Sequence, residues 1–106
     1  MPQPNKLTNA IGFAMKAGKL ISGDFSVEKL ARSGKARLLL LDDAASANTK
    51  EKYRALSASK NVELIEISSL GNWIGKPGRM VAAVTDLNFT TMIKRANADA
   101  NSAAGE

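Results

Sequence analysis

Three short runs constrain this chain more than anything else in it: Ala36–Leu41, Val62–Ile67 and Met80–Val84. Ala36–Leu41 is too short for a helix between its flanks, and it is apolar on both faces. That is the signature of a strand buried on both sides. Val62–Ile67 and Met80–Val84 read in the same way. Helical patterns fill the intervals. Leu7, Ala10, Ile11 and Ala14 recur at helical spacing before Gly18, which can end a helix in the left-handed conformation. Val27, Leu30 and Ala31 form a narrow apolar stripe that stops at Gly34. A polar helix runs from about Asn48 to Ala58, with Tyr53 and Leu56 inward and Asn61 closing it. Ser69–Ile74 allows one or two helical turns. Asp86 caps a last helix that is expected to bury Phe89, Met92 and Ile93. Strands alternating with helices give an α/β domain with helices on both faces of a small sheet.

The chain has 106 residues, enough for one domain with a modest core. It contains no cysteine and no histidine. Disulfides, thiolate chemistry, the commonest metal ligand and the commonest general acid–base are therefore all absent. No carboxylates converge at catalytic spacing, and Asp42-Asp43 reads as turn and cap chemistry. No enzyme, metal or cofactor is expected. No apolar run approaches the ~20 residues of a membrane span. No signal-like segment opens the chain, so the expected compartment is the cytoplasm.

Charge is the functional clue. Up to Arg37, seven basic residues meet two acidic ones; from Leu38 onward, eight meet eight. The whole net charge of +5 therefore lies in the first third of the chain, which suits a polyanionic partner. Its focus is Lys19–Lys29, where Gly23 opens a short basic helix, and helix openings favour phosphate. On a helical wheel, Val27, Leu30 and Ala31 point inward while Phe25, Ser26, Lys29 and Arg32 point outward. Cations attract phosphates without regard to sequence, hydroxyl and N–H groups orient them, and an aromatic can stack on an unpaired base. Read blandly, the cations are a solvated face and Phe25 closes a core edge. Gly75-Lys76-Pro77-Gly78-Arg79 is a second candidate surface, basic and rigid at proline. Spacing alone does not say whether it neighbours the first.

Several ordered blocks carry a family resemblance. They are Lys16-Ala17-Gly18-Lys19-Leu20-Ile21-Ser22-Gly23, Val27-x-Lys29, Lys35–Leu41, Ser46-x-Asn48-Thr49, Leu70-Gly71-x-x-x-Gly75-Lys76-x-x-Arg79 and Val84-Thr85-Asp86-x-x-Phe89. Across about Leu7–Ile93 the chain resembles the ribosomal L-seven-Ae family of kink-turn RNA-binding proteins, most closely its bacterial YlxQ-type branch. The resemblance implies a three-layer α/β/α sandwich around a mixed, about four-stranded sheet. It also implies RNA docked on a helix opened by Gly-x-Asn-Glu-x-x-Lys, with the loop before the last strand closing over an extruded nucleotide. Gly23 and Lys29 match that pattern, and the loop corresponds to Gly75–Arg79. Phe25 and Ser26 stand where the family has the Asn and Glu that read tandem G·A pairs.

The expectation is thus a monomeric, ribosome- or assembly-associated binder of structured, kink-turn-like RNA. Residues 1–95 would form the RNA-binding domain and residues 96–106 a disordered tail. The expected RNA contacts are Lys19, Ser22, Gly23, Phe25, Ser26, Lys29, Arg32, Lys76, Pro77, Gly78 and Arg79. The alternative is a protein-interaction module on the same fold, with Phe25 as its anchor.

Overall fold

The computed structural model describes residues 5–104, of which residues 100–104 are described as backbone only. The chain runs α1 (Lys6–Lys16), β1 (Leu20–Ser22), α2 (Asp24–Arg32), β2 (Leu38–Asp42), α3 (Ala47–Lys60), β3 (Leu64–Ile67), α4 (Leu70–Trp73), β4 (Val81–Val84) and α5 (Leu87–Ala104). The strands form one mixed sheet in the order β1-β4-β2-β3. β4 is antiparallel to both neighbours, and β2 is parallel to β3 across the α3 crossover.

Side-chain alternation along the central strands divides the core in two. Leu38, Leu40, Ala82 and Val84 face α1, α4 and α5, where Ile11, Ala14, Leu70 and Ile93 complete one cluster. Leu39, Leu41, Val81 and Ala83 face α2 and α3, where Val27, Ala31, Tyr53 and Leu56 complete the other. β2 and β4 are buried at every position because both faces are covered. This is the expected α/β/α arrangement.

Helix ends follow local chemistry. Asn5 and Thr8 form a reciprocal capping box at α1, each backbone N–H meeting the other side chain at 2.9 Å. Ser46 accepts from the Thr49 N–H at the start of α3, and Asn61 ends that helix at φ 56°. Asp42 lies buried at the end of β2. Its carboxylate accepts from the Ala44 N–H at 2.8 Å and from the Leu70 N–H at 2.9 Å, which anchors α4.

Three expectations need correction. β3 is an edge strand, not a fully buried one: Ile65 and Ile67 are buried, while Glu66 faces outward and pairs with Arg54 and Lys50. Met92 is 44% exposed, so α5 buries Ile93 and part of Phe89 without it. The tail expected to be disordered from Ala96 instead continues α5 to Ala104, with Ala96 buried in the α1–α5 seam. Alanine is the strongest helix former, and packing against α1 needs only a small residue there. Gly105 and Glu106 lie outside the described residues. No helix among the described residues is long and apolar enough to cross a membrane.

Candidate nucleic-acid interface

β1 places Ser22 beside Ala82, and the chain then turns sharply into α2. The Gly23 N–H donates to the Val81 carbonyl at 3.1 Å, and its own carbonyl accepts the first helical bond from Val27 at 3.0 Å. Gly23 has φ 103° and ψ 140°, a conformation that side chains other than glycine's rarely tolerate. No side chain caps the opening, so no protein side chain answers the first-turn N–H groups of α2.

The Gly75–Arg79 loop reaches the same place. It folds back over α4, where the Lys76 N–H donates to the Gly71 carbonyl at 2.8 Å. A Cβ on Gly71 would stand 2.7 Å from the Lys76 carbonyl oxygen, so the loop packs this closely only against glycine. At its far end the Arg79 guanidinium donates through Nη1 to the Ser22 carbonyl at 3.1 Å. The same Nη1 would lie 2.3 Å from a Cβ on Gly23. The two surfaces are therefore neighbours. Between them is a cleft of about 230 Å³ lined by Gly23, Asp24, Thr49, Gly78, Arg79 and Val81.

Around this cleft the structure gathers Ser22, Gly23, Phe25, Ser26, Gly78 and Arg79, with Lys29 one helical turn further along α2. Phe25 is 82% exposed, which rules out its closing a core edge. Lys76 and Pro77 are exposed at the loop tip. Two residues stand apart. Lys19 precedes the other end of β1, with its carbonyl bonded to the Thr85 N–H. Arg32 is at the far end of α2, engaged with Glu28 at 2.8 Å. Among the described residues, Lys29, Lys76 and Arg79 form no ion pair.

An acidic flank, hidden from sequence reasoning, sits beside the cleft. Lys52 on α3 bridges Asp24 at 2.8 Å and Glu28 at 3.0 Å. The buried Tyr53 reaches α2 with its hydroxyl, which donates toward the Asp24 carbonyl at 2.9 Å and toward the Asp24 carboxylate. The Lys52 ammonium, and then the Tyr53 hydroxyl, hold the Asp24 carboxyl below the usual carboxylate range. Lys52 and then Arg32 do the same for Glu28. Reciprocally, Asp24 and then Glu28 raise Lys52. Burial, followed by the Asp24 carboxylate, pushes the Tyr53 phenol strongly upward. These pairs join residues 24 to 29 positions apart, so no sequence spacing announces them.

Among the described residues no cluster of acidic side chains could hold a metal ion. What the site offers is open N–H groups, unpaired cations and an exposed aromatic.

Known proteins are similar to this chain. Two curated relatives, each called RNA-binding protein YlxQ, are 37% identical to the chain. The one from Bacillus subtilis (strain 168) aligns over 86 residues, 78% of this chain and 86% of its own. The one from Enterococcus faecium aligns over 92 residues, 84% of this chain and 88% of its own. A solved structure of a Bacillus halodurans protein of unknown function superposes with a TM-score of 0.83 at 27% identity, covering 88% of this chain and 97% of that one. A Giardia lamblia 15.5kD RNA binding protein has the same fold, with a TM-score of 0.69 at 19% identity over 88% of this chain and 86% of its own. The model of the ribosomal protein L7Ae/L30e/S12e/Gadd45 family matches residues 5–93, and with the α2 opening and its loop in place the chain belongs to that family.

Proposed function

We propose that this protein is a non-enzymatic binder of structured RNA that docks a bent, kink-turn-like element on the α2 opening, in the setting of the ribosome or its assembly. The observation that carries the reading is the junction of the two basic surfaces. Arg79 is bonded to the Ser22 carbonyl at 3.1 Å, beside an uncapped helix start. The names of the YlxQ relatives point the same way.

In this mechanism the first-turn N–H groups, Ser22, Gly23 and Lys29 receive phosphate and sugar oxygens. Lys76, Pro77, Gly78 and Arg79 close from the loop. Phe25 stacks on an unpaired base, and Ser26 donates to or accepts from a base edge. Lys19 and Arg32 contribute at longer range, as part of the positive field. With ~4–5 phosphates neutralised, the log–log salt dependence should have a slope of roughly −3 to −4.5.

The test is a titration at near-physiological salt against two RNAs: a standard kink-turn stem, and the same stem with its tandem G·A pairs replaced by Watson–Crick pairs. Preference for the first supports kink reading despite Phe25 and Ser26. Equal, salt-sensitive binding rejects the kink-turn part and retains the RNA part. A salt-insensitive complex rejects the mechanism.

The exposure of Phe25 favours one second reading, a protein-interaction module anchored on that ring. Under it, Phe25→Ala abolishes a protein pull-down and leaves RNA retention unchanged; the reverse pattern rejects it.

A further inference from the structure

Asp24 presents a problem for an anion site. It stands in the first turn of α2 and lines the same cleft as Arg79. A free carboxylate there would repel an incoming phosphate and could pair with the guanidinium meant for it. Neither carboxylate nor guanidinium turns to the other: among the described residues they form no ion pair. Asp24 is drawn to the α3 side by Lys52 at 2.8 Å and by the Tyr53 hydroxyl. Arg79 reaches across Gly23 to the Ser22 carbonyl. Lys52 also takes up Glu28 at 3.0 Å, so one ammonium answers both acidic groups of α2.

We infer that Lys52 is a positioning residue for RNA binding: it holds Asp24 against α3, masks the acidic flank of α2, and so keeps Arg79 available to phosphate. The inference rests on the RNA reading above and adds a residue that no motif in the chain marks. Lys52 acts here through Asp24, not through contact with RNA. Its side chain is 33% exposed and both its acidic partners lie within 3.0 Å.

The experiment is a mutant cycle read by titration of the standard kink-turn stem, with thermal melts of each variant. Lys52→Met should bind about fivefold more weakly, the cost of one uncompensated charge a few ångströms from a phosphate in water. Asp24→Asn alone should bind at least as tightly as wild type, because the carboxylate beside the cleft is gone while Lys52 keeps its charge, held by Glu28 at 3.0 Å. The double variant D24N/K52M should return to within about twofold of wild type, since the carboxylate that needed masking is gone. Lys52→Arg, which keeps cation and donors, should behave as wild type. Lys94→Met removes the same charge from a pair with Glu63, which lies at the opposite end of the sheet next to the start of β2; it should leave binding unchanged.

A double variant as weak as K52M would mean that Lys52 touches RNA itself, and would overturn the inference. A loss in K94M equal to that in K52M would mean a general field effect and would overturn it too. Should K52M fail to fold, Lys52→Gln replaces it with the same expectation. The RNA reading fails separately: wild type would then retain neither stem and Arg79→Ala would change nothing, which removes both claims. Normal wild-type binding that is lost in R79A but indifferent to K52M overturns the inference alone.

Discussion

Two concave surfaces of the molecule stand in contrast, one along the α1–α5 seam and one at the α2 opening. The groove between α1 and α5 is the larger, about 570 Å³, with Ala10, Phe13, Met92 and Ala96 among its lining and with Lys6, Arg95 and Asp99 around it. The cleft between the α2 opening and the loop is less than half that size, about 230 Å³. The large groove has apolar area and charges of both signs. The small cleft has an uncapped helix start, an arginine fixed across a glycine and an exposed aromatic beside it. Size measures how helices of unequal side chains happen to meet. Convergence of groups that recognise one chemistry is what distinguishes a site. The contrast extends to the backbone: the cleft depends on Gly23 and Gly71, where an added methyl group would collide.

The sharpest way to break this comparison is at Gly23. Gly23→Ala meets both a positive φ of 103° and an Arg79 nitrogen 2.3 Å from the new Cβ. It should cost about 1–3 kcal/mol of stability by denaturant unfolding and displace Arg79, so that RNA affinity falls as well. In the groove, Met92→Ala should change stability by less than about 0.5 kcal/mol and leave RNA binding intact. Equal effects at the two positions would erase the distinction.

Phe25→Ala should come next in size. A stacked base is worth about 1–3 kcal/mol of affinity. The ring is 82% exposed, so folding stability should move by under about 0.5 kcal/mol. Phe13→Ala, which removes a 56% exposed aromatic from the other face, should leave RNA affinity alone. Parity between the two aromatics would mean that hydrophobicity, not position, retains the RNA.

Arg79→Ala should lower affinity at physiological salt and flatten the log–log salt slope by about 1, the signature of a single lost phosphate contact. An unchanged slope would remove Arg79 from the clamp.

The smallest effect concerns pH. Lys52 holds the Asp24 carboxyl below its ordinary value of 3.8. A carboxyl depressed in the folded state adds stability above the unfolded pKa, and that contribution is lost as pH falls through the folded value. Wild type should therefore lose a small increment of stability below about pH 4 that Lys52→Met has already lost at neutral pH. An NMR titration of the Asp24 side chain should show its pKa rising in K52M; no rise would mean that Tyr53 alone sets it. The groups are largely solvated, so the increment is modest.

Much of this was legible in the chain. Local rules placed the strands and helices in order, because hydrophobic period and capping residues act over a few positions: Gly18, Asn61 and Asp86 each mark a boundary that the structure keeps. The outward set Phe25, Ser26, Lys29 and Arg32 also followed from helical period alone. The absence of cysteine and histidine and the early concentration of positive charge bound the chemistry by residue type alone. What period could not reveal is what lies across the sheet. The order β1-β4-β2-β3 sets the end of β1 beside the start of β4, and so brings Arg79 to Ser22 over 57 residues of chain. The same layering puts Lys52 and Tyr53 of α3 against Asp24 of α2, and leaves β3 an edge. Its helix pair carries α5 past the point where its sequence loses large apolar residues, since Ala96 needs only a seam to enter. The residue types determined which elements form and which charge they display. Through-space pairing, a property of strand order and helix packing that no spacing encodes, decided which of those charges meet and which remain open to a partner.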